Sequence, residues 1–156
     1  MDALQFRNAL GQFATGVCLV TLSNARGEPM ALTANSFSSV SLDPPLVLWS
    51  LQKSSEVYTQ FAFGQQFAIS VLNAEQEDLS VQYATRGDHL MSSEHYTPGN
   101  NGAPIVADSL ASFECDLYAS HDAGDHTILV GKVSRFNAAG SGDPLLFHCG
   151  SYGRIV

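Results

Sequence analysis

Apolar positions recur at helical spacing at the start of the chain. Leu4, Phe6, Ala9, Leu10 and Phe13 fall roughly on one face behind Asp2, a residue type that caps helix N-termini, and Gly11 and Gly16 mark where this helix frays and stops. The period then shortens to that of strands. Residues 17–21 and the run from Met30 to Thr33 read as a hairpin, turned by Asn24-Ala25-Arg26-Gly27-Glu28-Pro29. Residues 36–42 alternate as a half-buried strand does. Residues 46–51 are nearly continuous apolar, as in a strand covered on both faces or lining a closed barrel, and Pro44-Pro45 marks the turn between the two. Residues 54–63 carry Val57, Tyr58 and Phe61 at helical spacing, residues 67–72 form a strand, and residues 75–84 form a second helix with Leu79 and Tyr83 inward. Residues 87–102 show little periodicity and read as an ordered surface loop with a functional or interface role. The last third reads as a β-meander of strands at 111–120, 127–136 and 145–148, with turns at Asp122-Ala123-Gly124-Asp125 and Gly140-Ser141-Gly142-Asp143. Many short strands with few helical crossovers predict a mainly β protein, a closed antiparallel barrel with a few short flanking helices rather than a doubly wound sheet.

Composition narrows the function. With 156 residues, 45% of them apolar, the chain can fill a core as one domain over residues 1–156 without metal or disulfide staples. The formal charge of −8, with no basic run, sets the average surface against nucleic acid. A small anion is still admissible, because local N–H groups and one cation outweigh a distant, salt-screened charge. The three cysteines, Cys18, Cys115 and Cys149, are odd in number, far apart and without a C-x-x-C pair, which argues for a reducing compartment and against a zinc site. Residues 2–13 interrupt their apolar positions with Asp2 and Arg7 and resemble neither a signal peptide nor a membrane span, so the expectation is a cytoplasmic protein without membrane attachment.

Two polar segments stand out. Thr33-Ala34-Asn35-Ser36 joins two strand-like runs, and its amides with Asn35 can meet the carbonyl and nitrogen edge of a heteroaromatic ring. The same residues can instead be a strand crossover whose side chains satisfy neighbouring backbone groups. Lys53-Ser54-Ser55 precedes an expected helix, where free N–H groups, two hydroxyls and an ammonium can hold a phosphate. The plain alternative makes Ser54 an N-cap and Lys53 a solvated charge. His121-Asp122-Ala123-Gly124-Asp125-His126 groups two His with two Asp, but not in a standard zinc spacing, so no metal is expected. His89, His95 and His148 lack a partner pattern. There is no G-x-S-x-G elbow, and the G-x-G at Gly140 to Gly142 precedes Asp-Pro instead of opening a helix, which removes support for nucleophilic hydrolysis and Rossmann binding.

Taken together, the blocks resemble the short-chain flavin reductase family, the FMN-binding split-barrel reductases that supply reduced flavin to two-component monooxygenases. The likeness runs through Phe6-Arg7-Asn8-Ala9-Leu10-Gly11-Gln12-Phe13-Ala14-Thr15-Gly16-Val17, the TANSFSSVSLDPPLVLWSL run, Phe67-Ala68-Ile69-Ser70-Val71-Leu72, Phe113-Glu114-Cys115, Gly124-Asp125-His126 and Pro144-Leu145-Leu146-Phe147 with Gly150-Ser151-Tyr152. It implies a homodimer of antiparallel split β-barrels with the flavin, FMN or FAD, near the subunit interface. Thr33, Ala34, Asn35 and Ser36 match the segment lining the isoalloxazine ring and ribityl chain. Ser50, Leu51, Gln52, Lys53, Ser54 and Ser55 match the segment reaching the phosphate. Tyr83, Ala84, Thr85 and Arg86 match a stretch that completes the flavin pocket, and Gly124, Asp125, His126 and Tyr152 match positions associated with the nicotinamide of NADH or NADPH. Ser70 departs from the pattern, standing where Asn is common. The implied reaction passes hydride between two cofactors and assigns no catalytic side chain. Other uses of the scaffold are a flavin- or haem-binding carrier or sensor, and a pyridoxamine-phosphate-oxidase-like flavoenzyme.

Overall fold

The computed structural model describes residues 1–156. Helix α1 (Ala3–Leu10) starts where the Asp2 carboxylate accepts the N–H groups of Leu4 and Gln5, at 2.9 and 3.3 Å, satisfying donors that a first turn leaves free. It buries no residue: Leu4, Phe6, Leu10 and the following Phe13 are all exposed. Strands β1 (Thr15–Gly16), β2 (Cys18–Ser23), β3 (Pro29–Ala34), β4 (Ser38–Leu42) and β5 (Pro45–Gln52) follow. Then come α2 (Tyr58–Ala62), β6 (Gln66–Val71), α3 (Glu77–Ala84), β7 (Tyr96–Pro98) and β8 (Pro104–Val106). The chain ends with β9 (Ala111–Ala123), β10 (His126–Ala138), β11 (Leu146–His148) and β12 (Ser151–Gly153). No helix is long and apolar enough to cross a membrane.

Connectivity closes the main sheet. Its seven strands lie in the order β3-β2-β6-β9-β10-β5-β4, so β3 and β4 are opposite edges although they are consecutive in the chain. Six inter-strand spacings of ~4.8 Å would put the edges of a flat sheet about 29 Å apart. The link from Ala34 to Ser38 reaches at most about 14 Å. The sheet therefore curls until its edges approach, and because β3 and β4 do not pair, the barrel is split there. Residues from β2, β3, β5, β6, β9 and β10, with Val57, Phe61 and Ala62 at the α2 end, form one buried apolar cluster inside.

Strand period decides which face each run buries. β5 alternates, with Val47, Trp49 and Leu51 buried and Leu46, Leu48 and Ser50 only half-buried, so its continuous apolar run is the barrel-lining kind. β2 is the strand covered on both faces: Cys18, Val20 and Leu22 face the barrel interior, while Leu19 joins a second cluster with Val17, Ala31, Leu72, Tyr83, Met91, Val106 and Leu145. The β9–β10 hairpin turns on Gly124 and Asp125, with Ala123 opposite His126; Gly124, at φ +68°, takes the left-handed conformation that the first residue of such a two-residue loop requires. Gly131 sits at a register shift on β10, where a Cβ would lie 2.7 Å from the Phe67 ring and 2.9 Å from Cys115 Cβ.

Several expectations need correction. The helix expected over residues 54–63 is only Tyr58–Ala62, because the Ser55 hydroxyl takes the Val57 N–H at 3.3 Å and the Ser55 carbonyl takes the Tyr58 N–H at 3.1 Å, which makes residues 53–57 a series of turns. Lys53-Ser54-Ser55 therefore does not open a helix. β4 is mostly exposed, not half-buried. Residues 87–102 hold a 3-10 turn at Ser93–His95 and strand β7, which pairs with β8, a short hairpin whose period is too brief to show in the sequence. β11 does not extend the β9–β10 meander, because β5 already occupies the free edge of β10; it pairs with β1 and β12 in a separate three-stranded sheet.

Two outcomes follow from this packing. Gly131→Ala should lower unfolding stability by about 1–3 kcal/mol in urea titrations, through overpacking against Phe67 and Cys115; Gly153→Ala, where nothing lies within 4 Å of the new Cβ, should leave the midpoint nearly unchanged. Burial pushes the Cys18 and Cys115 thiols up to about 12. A disulfide reagent at pH 8 should therefore label only exposed Cys149 in the native protein, and all three thiols once the chain is unfolded.

Candidate functional site

A cleft of about 400 Å³, within the range of small-molecule sites, lies beside the split in the barrel. The end of β3 and the link to β4 supply Leu32, Thr33, Ala34, Asn35 and Ser36; the end of β5 supplies Trp49, Ser50, Leu51 and Gln52. The turns after β5 add Ser54, Ser55 and Glu56, and the segment after α3 adds Ala84, Arg86 and His89, with His126 entering from the β9–β10 hairpin.

The crossover reading of the 33–36 corner holds for two of its residues. The Thr33 hydroxyl donates to the Ser80 carbonyl at 2.7 Å and ties β3 to α3. The Ser36 hydroxyl accepts the Ser50 N–H at 2.9 Å and donates to the Ser50 carbonyl at 3.2 Å, continuing the β4–β5 pairing past the end of β4. Asn35 is the exposed member of the corner and lines the cleft. Of the next segment, Ser54 is exposed in the cleft, but the Lys53 ammonium turns away to the Asp122 carboxylate and does not line it. Tyr83 does not line the cleft either: it is buried, its hydroxyl 2.7 Å from His95 Nδ1 and accepting the Ser92 N–H at 3.3 Å. Thr85 also stays out, its hydroxyl donating back to the Val81 carbonyl at 2.8 Å.

The expected nicotinamide group divides. Gly124 and Asp125 form the hairpin turn outside the cleft; the Asp125 carboxylate lies 2.7 Å from His126 Nδ1, and its backbone carbonyl accepts the Lys53 N–H at 2.9 Å. The hydrogen bond from His126 holds the Asp125 carboxyl below its usual range. Since a carboxylate accepts, Nδ1 carries the hydrogen, and Nε2 is the ring nitrogen left for other contacts. Tyr152 instead lines a second cleft of about 200 Å³ with Phe147, Ser80 and Val17, its hydroxyl 2.7 Å from Ser80 Oγ and its ring packed edge-on to Phe147. The two clefts share Thr33, Ala34, Asn35 and Ala84, so His126 and Tyr152 flank one wall from different sides.

A corner of exposed amide and hydroxyl groups on a split antiparallel barrel is one observation; the family match is another. The model of the flavin reductase like domain matches residues 10–155. The chain belongs to the flavin reductase-like family. Over 154 residues it is 50% identical to the FMN reductase (NADH) of Agrobacterium fabrum, covering 99% of this chain and 87% of that protein. It is 42% identical to the reductase component of the flavin-dependent trigonelline monooxygenase of Acinetobacter baylyi, covering 90% of this chain and 46% of that one. The Streptomyces globisporus NADH:FAD oxidoreductase, solved in complex with NAD and FAD fragments, superimposes with a TM-score of 0.93 at 35% identity, over 99% of this chain and 93% of that chain. The chain thus spans most of some relatives and about half the length of others.

In this flavin reductase-like domain the cleft has four lining residues that sequence reasoning missed: Leu32, Trp49, Glu56 and His89. Leu32 and Trp49 were legible as strand but not as wall. Glu56 and His89 gave no local signal, because they are 33 positions apart and meet only when the loop after α3 lies on the turn after β5, with His89 Nε2 3.0 Å from Glu56 Oε1. The Gly87 N–H donates to Glu56, Arg86 Nε lies 3.5 Å from Glu56 Oε2, and these partners, the Gly87 hydrogen bond foremost, lower the carboxyl below its usual value of 4.5. A depressed carboxyl stabilises the fold above its unfolded pKa, and that contribution is lost as pH falls through the depressed value. Urea midpoints should accordingly show Glu56→Gln below the parent at pH 7, with the gap closing as pH is lowered below about 4.

Proposed function

We propose that this chain, acting as one domain over residues 1–156, is an NADH-dependent flavin reductase that takes FMN or FAD as its flavin. The carrying observation is that one cleft gathers a donor wall at Asn35, a hydroxyl-and-guanidinium end at Ser54 and Arg86, and the His126 ring. The names of its relatives, an FMN reductase (NADH) and an NADH-dependent FAD reductase among them, support the same reading. When both cofactors are bound, the nicotinamide supplies a hydride and the flavin ring accepts it. The protein then contributes proximity and orientation, which can lower a barrier by several kcal/mol (about 7 or more in well-oriented cases).

Donors fixed toward the ring edge by the 33–36 corner stabilise the negative charge that grows there on reduction. Asn35 is the side chain for this, since the hydroxyls of Thr33 and Ser36 are spent on Ser80 and Ser50. Ser54 and Arg86 receive the phosphate; Lys53, paired with Asp122, and Tyr83 and Thr85, turned to their own neighbours, act only as supports. His126, with its Nδ1–H committed to Asp125, orients the nicotinamide nucleotide from the first cleft, and Tyr152 packs from the second. Relatives named as reductase components of monooxygenases support a partner monooxygenase that consumes the reduced flavin. The exposed apolar face of α1, Leu4, Phe6 and Leu10 with Phe13, supports a homodimer.

Oxidation of NADH should accelerate on adding FMN, and no flavin-dependent turnover with either nicotinamide would remove this reading. Trp49, the one tryptophan of the chain, lines the cleft and should lose fluorescence as flavin binds. By that signal Asn35→Ala should weaken FMN about tenfold, the size of a lost ligand hydrogen bond, whereas His126→Ala should raise the KM for NADH and leave the FMN Kd close to that of the parent.

A further inference from the structure

The end of the cleft that would take an anion contains a carboxylate. Glu56 lines it with a side chain 27% exposed, and Arg86, the only Lys or Arg in the lining, lies with Nε 3.5 Å from Glu56 Oε2. Taken as a simple ion pair, the two charges would cancel, and a phosphate would gain nothing from the guanidinium.

His89 changes that sum. Its ring is 8% exposed and bridges two acceptors: Nδ1 lies 3.0 Å from the Ala31 carbonyl and Nε2 lies 3.0 Å from Glu56 Oε1. A carbonyl oxygen only accepts, so Nδ1 carries a hydrogen. Two bare acceptors would repel at the Nε2–Oε1 distance, so a proton lies between these atoms also. With that proton counted, the Glu56–His89 pair is neutral as a unit, and the Arg86 charge is left uncompensated. The imidazole is fixed in place by its neighbours: the Ala31 N–H donates to the His89 carbonyl at 2.9 Å, and the Gly87 N–H donates to Glu56.

We propose that His89 is a positioning residue that cancels the charge of Glu56 and so makes the cleft select phosphorylated flavins over unphosphorylated ones. This rests on the flavin reading above and names the part of the ligand that His89 serves. It acts through Glu56 and Arg86 and touches no reacting atom. Replacing it with a neutral side chain leaves Glu56 ionised opposite the phosphate, and the penalty falls on the phosphate alone.

The test is a pair of Trp49 fluorescence titrations, with FMN and with riboflavin, which shares the ring and ribityl chain but lacks the phosphate. His89→Gln should raise the FMN Kd about tenfold, as expected of one charge added a few ångströms from an anion in a partly solvated site, while the riboflavin Kd changes less than about twofold. Glu56→Gln, which keeps the pair neutral, should hold the FMN-to-riboflavin preference of the parent, and Glu56→Gln with His89→Gln should restore it. Parallel losses of both flavins in His89→Gln would mean that the residue only holds the loop and would overturn the proposal. So would a double variant as weak for FMN as His89→Gln, or a large gain in FMN preference from Glu56→Gln alone. The last arm decides even if His89→Gln fails to fold. A parent protein that binds neither flavin would instead overturn the flavin reading itself.

Discussion

The short link between Ala34 and Ser38 is the constraint on which the rest of the molecule depends. It joins the two outer strands of a seven-stranded sheet, so the sheet can form only by curling. Closure by a link rather than by a β3–β4 ladder leaves backbone groups at the seam without strand partners, and buried or half-buried groups of that kind need substitutes. Ser36, in the link, meets a related need on β5: where β4 has ended, its hydroxyl takes both backbone groups of Ser50. Where the ladder is missing, the strand ends stand apart and a cleft opens. The site is therefore a by-product of how the barrel is closed: the link that joins the two edge strands also forms part of the cleft wall and leaves Asn35 exposed there.

Placement of charge around that wall is economical. The chain carries a formal −8, yet the cleft has a single permanent cation, Arg86, because Lys53 is held by Asp122 on the neighbouring hairpin. A distant surface charge is screened within about 10 Å at ordinary salt. What an anionic group in the cleft meets is the local sum over Arg86, Glu56, His89 and His126, and that sum depends on which hydrogens these groups share. Asp125 lies on the far side of His126, outside the cleft, so its charge orients the ring without facing a ligand directly.

Most of the fold was legible in the sequence because it is written in local period. β2, β3, β5, β6, β9 and β10 follow apolar runs bounded by Gly, Pro and Asx turns, and α1 follows Asp2 and a helical stripe. What was not legible is where local preference loses to competing hydrogen bonds or to topology. The helix expected from residue 54 begins only at Tyr58 because the Tyr58 N–H goes three residues back to the Ser55 carbonyl instead of four back to Ser54, while the Ser55 hydroxyl holds the Val57 N–H in a turn. The strand at Leu146–His148 joins β1 and β12, since no pattern in its own residues says that β5 has filled the edge of β10. In the candidate site, the segments at 33–36 and 50–55 were legible as donor-rich corners. The division of labour inside them was not: Thr33 and Ser36 are structural, Asn35 is free, and Lys53 points elsewhere, all of which depend on Ser80, Ser50 and Asp122 arriving from other parts of the chain.

A cleft made from strand ends and turns has consequences for how tightly it can hold anything. The side chains proposed to contact ring and phosphate, Asn35, Ser54 and Arg86, are exposed, and hydrogen bonds or ion pairs made at exposed positions are weak because water competes for both partners. Burial of the ligand itself has to supply the balance, and the shared wall between the two clefts exposes that ligand on more than one side. A site of this construction favours exchange over retention. That is the behaviour a reductase needs when its reduced flavin is proposed to leave for another enzyme, and it follows from the seam in the barrel, which a fully laddered sheet would not have provided.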